Sequence, residues 1–308
     1  MDVFINLYKT LFPFLLCIPI GYIIAKKNII PKNIIPKNIV SKPLLYFFVP
    51  VLVINHVLEA SVENLTILPI LSFALSLGMI IPAVWVHKKI AKNESKSLLK
   101  SAFSFYNLAF FGIPVIDALF GKEAITILIC IYLGGALYGN VIGYFQVART
   151  RYSAKHAIRE IFKVPFIYVF VLAIVLKISG FHSPEQLKPV VSIFGVIVSV
   201  AGMLIIGINI QQVDFKSLNW GYYAKILGVR MVASALIMAI LLGIERVFYN
   251  GLSLTETKVL IILPFFPIAA NLTVFASFLK SNEKQSALLV LLSMLLALIV
   301  VPLVAMFF

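Results

Sequence analysis

Charged side chains are scarce in this sequence. Asp, Glu, Lys and Arg make up 12% of its 308 residues, about half the roughly 25% share of a soluble domain. Hydrophobic residues fill 61% of the chain, more apolar surface than a soluble fold of this length can hide. Acidic residues are the rarer sign, at 12 against 26 Lys and Arg. Cysteine is reduced to Cys17 and Cys130, both inside apolar runs, and two residues cannot build a disulfide framework. HExxH, G-x-S-x-G, Walker A and dinucleotide motifs are all missing, as is any nucleophile–base constellation. His56, His87, His156 and His182 fall in four regions without metal-ligand spacing. No enzyme activity, metal site or cofactor is therefore expected.

What is present is a series of apolar runs of about 20 residues, the length that crosses ~30 Å of hydrocarbon as a helix. A barrel would show ~10-residue segments of alternating polarity instead. The runs predict an all-α polytopic membrane protein with ten spans, near 5–25, 40–58, 65–86, 98–120, 124–148, 162–180, 189–210, 222–248, 258–279 and 286–308. The first run lacks a cleavage site and stops at Lys26-Lys27, so it reads as a span, not a signal peptide. In the first connection Ile30-Pro31-Lys32-Asn33 repeats as Ile35-Pro36-Lys37-Asn38, a short tandem duplication.

The basic excess reads as topology rather than nucleic-acid binding. Connections that follow odd-numbered spans collect 19 of the 26 Lys and Arg, and the opposite side holds six. Cytoplasmic loops carry the cations, so both termini are expected outside the cytoplasm, in a multi-pass protein of the cell (inner) membrane. The fifth connection, Arg149 to Lys163, reads first as a solvated topology determinant and second as a short basic helix at the lipid interface.

Ten spans divide into five (1–161) and five (162–308). An odd number per half reverses the second half in the membrane, which suits an inverted repeat. Corresponding helices then carry corresponding defects. The fourth span holds Asn107, Gly112 and Pro114, and the ninth holds Pro264, Pro267 and Asn271. A mid-span proline bends or breaks a helix, and the freed backbone groups need protein or water as partners. Half-helices are expected to begin near Pro114 and Pro267, with Gly112 permitting a turn. Their N-termini, each about half a positive charge, would face a small anion together with the amides of Asn107 and Asn271. Two ionisable residues lie inside spans. Arg230 either snorkels or faces the bundle, paired with an acid or the substrate. Asp117 either reaches water or binds a coupling proton.

Several segments resemble the auxin efflux carrier family. They are Leu44-Leu-Tyr-Phe-Phe-Val-Pro50-Val-Leu-Val-Ile, Asn107-Leu-Ala-Phe-Phe-Gly112-Ile-Pro114 with Leu119-Phe-Gly121, Gly202-Met-Leu-Ile-Ile-Gly207, and Pro267-Ile-Ala-Ala-Asn271 with Ala276. The resemblance implies ten helices in two inverted repeats, the fourth and ninth broken and crossing at mid-membrane, in a fold related to sodium–bile acid symporters. It implies a carrier of small organic anions or carboxylates working by alternating access. The substrate residues would be Asn107, Gly112, Pro114, Pro267 and Asn271. The chain lacks the long central loop of many plant members, and its ninth span carries no acid for a sodium site. Expected partners are an organic anion and the lipid bilayer, with a homodimer left open. Competing readings are a sodium-coupled symporter, an anion channel and a membrane sensor.

Overall fold

The computed structural model describes residues 2–28, 37–60, 67–211 and 213–307. Most of the Ile-Pro-Lys-Asn repeat lies outside the described residues. Helix makes up 81% of the structure, and there are no strands among the described residues. Backbone N–H and C=O groups in a hydrocarbon layer must be satisfied within their own segment, which a helix achieves.

The elements follow the apolar runs. They are α1 (Asp2–Lys26), α2 (Val40–Glu59) and α3 (Ile67–Lys89), then α4 (Lys96–Ser104) and α5 (Ile113–Phe120). Next come α6 (Glu123–Ala148), α7 (Ala154–Ile161), α8 (Phe166–Ile178), α9 (Lys188–Ile210) and α10 (Trp220–Phe248). The chain finishes with α11 (Leu254–Ile262), α12 (Asn271–Leu279) and α13 (Glu283–Ala305). Among the described residues, seven helical stretches are long and apolar enough to cross a membrane, or eight when the bent pair α7–α8 counts as one. Lys96–Phe120 is one of the seven even though it is interrupted between α4 and α5. Against ten expected spans the first and the ninth fall short, the first with only Leu11–Lys26 as apolar helix, the ninth because it is split. The two pieces of the ninth, α11 and α12, have nine residues each, about 14 Å of helix at 1.5 Å per residue, half the hydrocarbon thickness. The basic fifth connection does fold as a helix, α7, which meets α8 at 43°.

Helix contacts rest on small residues and buried hydrogen bonds, as they must where lipid removes the hydrophobic gain of association. α1 lies along α9. Gly21 faces the backbone of Leu204, and Gly207 faces the carbonyl of Ile18 so closely that a Cβ has no room. α3 lies along α6, where Gly134 abuts the Pro69 carbonyl and the Ser72 hydroxyl donates to Ile131 C=O at 2.7 Å. α8 lies along α2, and the Lys177 ammonium donates to Leu58 C=O at 3.0 Å and to Ala60 C=O, closing the carbonyl end of α2. Large apolar side chains such as Ile81, Ile178, Val232, Ile240 and Ile299 point outward and are exposed, an arrangement that water penalises and lipid rewards.

Candidate functional site at the crossing of two interrupted helices

Two interrupted helices meet in the middle of the bundle. α4 stops at Ser104, and Phe105 is extended, with φ −94° and ψ 126°. A new helix then starts with a wide π-type turn, Leu108–Gly112, and continues as α5. On the other side α11 runs into a short turn, Leu263–Phe265, after which Phe266 is extended, with φ −66° and ψ 146°, and α12 starts at Asn271. The two breaks bond to each other: the Asn107 amide donates to Pro267 C=O at 2.9 Å. The Ile268 amide donates to the Ser293 hydroxyl of α13 at 2.9 Å.

The first break sits seven positions earlier than its proline suggests. Asn107 starts the new helix by accepting from the Phe110 amide through Oδ1 at 3.2 Å, the action of an N-cap asparagine. Pro114 lies in the second turn of the new helix, directly after the wide turn, and with no N–H it makes no bond back to that turn. The wide turn before it closes with the Gly112 amide donating to Asn107 C=O at 3.0 Å. Gly112 has ordinary helical dihedrals, φ −66° and ψ −46°, so it makes no turn. Its role is clearance, because a Cβ there would run into the Phe266 ring 2.7 Å away. Pro267 is buried inside the second break, and there its carbonyl serves Asn107.

The first turns of both new helices form the floor of a cavity of about 400 Å³. Asn107, Leu108, Ala109 and Phe110 contribute from one, and Ala269, Ala270 and Asn271 from the other. Pro114 lines the same cavity, whereas Gly112, Pro267 and Arg230 do not. The walls are largely apolar, with Leu52, Ile129 and Val191 among them, and the mouth reaches Glu59 and Lys188. Asn107 is 2% exposed, and its Nδ2 is buried without a hydrogen-bond partner. A buried donor left unpaired is costly, and this one lies beside a cavity and two helix N-termini. The floor therefore combines the unpaired Nδ2 of Asn107 with about one full positive charge in total from the two helix ends. An anionic oxygen satisfies both.

A second space of about 40 Å³ lies past the floor, lined by Ser72, Ser76, Ser104, Asn140 and Phe275. Tyr106, Leu108, Tyr132, Ala269 and Asn271 line both spaces and so form the partition between them.

Arg230 faces the bundle and does not snorkel, being 1% exposed. Its partners are neither an acid nor the cavity. Nε donates to Ala102 C=O at 3.2 Å, Nη1 to Phe266 C=O at 3.1 Å and Nη2 to Phe105 C=O at 2.9 Å. Its guanidinium also stacks over the Tyr106 ring at 4.7 Å, while the Tyr106 hydroxyl bonds Ser234 at 2.7 Å. Asp117 is exposed on α5 and lies outside the cavity lining.

Sequence reasoning missed Tyr106, Tyr132 and His56. His56 lines the cavity, its ring meets Tyr132 edge-on at 5.3 Å, and its Nδ1 is buried without a partner. The signal was available, since a lone ionisable residue in an apolar run is a candidate in its own right. No protein-family model and no curated protein sequence matches this chain.

Proposed function

We propose that the protein is a secondary carrier of small organic anions that works by alternating access. The observation that carries this reading is the cavity floor, where two interrupted helices begin and the unpaired Nδ2 of Asn107 is buried beside them. Discontinuous helices with their N-termini at the membrane centre are a recurrent way for transporters to hold a carboxylate without a buried cation. The cavity ends at a partition instead of continuing as a polar pore, which favours a carrier over a channel.

In this reading the chain has ten spans arranged as inverted halves, 1–161 and 162–308, and is a member of the auxin efflux carrier family. Packing supports the inversion: α1 lies along α9 and α8 lies along α2, the pairing expected when the first span corresponds to the sixth and the second to the seventh. The charge split puts Glu59 and Lys188 on the extracytoplasmic side, so the cavity opens outward and the second space belongs to the closed inner path. Organic anion binding is tested by thermal unfolding of the purified protein against a panel of mono- and dicarboxylates, since a ligand at a hundred times its dissociation constant stabilises by about 2.7 kcal/mol. Saturable, counterflow-capable uptake of the stabilising acid into proteoliposomes is the expected second result. Linear conductance, or no flux, sinks the carrier reading.

A further inference from the structure

Among the described residues, Arg230 is the largest fully buried side chain, and no carboxylate pairs with it. Other helix ends here are closed by cations too, with Lys177 on the end of α2 and Arg151 donating to Leu279 C=O at the end of α12 at 2.6 Å. Those two residues lie near the ends of the bundle. Arg230 lies at the crossing, and its three acceptors come from two helices that stop there: Ala102 and Phe105 at the end of α4, and Phe266 just beyond α11. Each helix C-terminus carries about half a negative charge, so two of them balance one guanidinium. The crossing is thus sorted by sign, with two positive N-termini on the cavity and two negative C-termini on Arg230.

Carbonyls freed at half-helix C-termini are the ligands with which broken-helix transporters hold a dissociable cation. We propose that the crossing contains a carbonyl-lined monovalent-cation site and that Arg230 occupies it permanently as a tethered counter-ion. The site follows from the geometry of Arg230 and stands or falls separately from the carrier reading. Its consequence for that reading is that anion binding at the floor needs no dissociable metal cation, because the charge that organises the two breaks is covalently attached. Removing the side chain leaves three inward carbonyls and a guanidinium-shaped space, which a free guanidinium then fills.

The experiment is thermal unfolding of the detergent-purified full chain and its Arg230→Ala variant, titrated at constant ionic strength with methylguanidinium, sodium or tetramethylammonium chloride. The expected result is a lower midpoint for the variant, restored saturably by methylguanidinium and not by tetramethylammonium. The parent should respond to none of them and should be unchanged when sodium is replaced by choline. A variant midpoint equal to the parent's, a variant response that is the same for all three cations, or sodium-specific stabilisation of the parent overturns the proposal. If the variant does not accumulate in folded form, purification in each cation decides. A monodisperse folded peak recovered with methylguanidinium alone supports the site, and failure with every cation overturns it.

Discussion

Asn107 does two separable jobs, and replacing it by serine tests them against each other. Its Oδ1 caps the helix that begins at Leu108, while its Nδ2 is buried and unpaired. Serine is about as good an N-cap as asparagine, so Asn107→Ser leaves the capping contribution close to unchanged. It also removes an unsatisfied buried donor that costs about 1–3 kcal/mol. The ligand-free variant should therefore be more stable than the parent, by on the order of 1 kcal/mol after some loss of packing. Asn107→Ala loses about 1 kcal/mol of cap and gains back a similar amount, for a net change near zero. Binding moves the other way. A carboxylate that accepts from Nδ2 loses about 1–3 kcal/mol in either variant, a 5- to 150-fold weaker affinity. The assay is thermal unfolding in detergent, first without ligand and then titrated with the carboxylate that best stabilises the parent. A serine variant about 1 kcal/mol less stable than the parent without ligand would mean that Nδ2 already has its partner inside the protein, and the reasoning would be refuted.

Three further outcomes follow from the packing and the charge distribution. Cysteines introduced at Asn93 and at His182, both exposed, should react with an impermeant maleimide from opposite faces, Asn93→Cys from the cytoplasm only; outside labelling of Asn93→Cys in intact cells reverses the topology. Gly207→Leu places a side chain against the carbonyl of Ile18, which should cost about 1–3 kcal/mol through overpacking and lower the unfolding midpoint, whereas Gly228→Leu, whose Cβ meets open space, should not. Glu94, in the connection before α4, has its carboxyl raised by burial, partly offset by a hydrogen bond with Tyr223. The folded state therefore holds this proton to higher pH than the unfolded chain, and stability falls as pH rises from the ordinary glutamate range through the raised value. Glu94→Gln should remove that fall and leave stability below the glutamate range unchanged; an identical pH profile for parent and variant contradicts it.

The membrane-embedded helical character was legible in the sequence because it is a sum over local composition. Runs of about 20 apolar residues cannot be soluble, and their ends are marked by Lys26, Lys89 and Arg149 irrespective of what packs against them. The interruption at 105–107 was legible only roughly. Proline drew attention to Pro114, but a helix restarts where a side chain can cap it, and Asn107 does so seven residues earlier. At the second break proline and interruption coincide, because Pro267 sits in the non-helical chain after the extended Phe266 and has no amide to satisfy.

Partnership was decided by tertiary structure alone. Nothing within reach of Arg230 along the chain hints that its acceptors are Ala102, Phe105 and Phe266, between 36 and 128 positions away. A buried guanidinium without an acid looks improbable until two helix C-termini converge on it, and such convergence is a property of the packed bundle. The same holds for His56 and Tyr132, 76 positions apart and in ring contact. The order of apolar and charged residues determined that the chain forms membrane helices and where they change direction, because those choices depend on transfer free energy and local capping. Which broken ends face the cavity and which face Arg230 depends on crossing geometry, which exists only once the helices have packed.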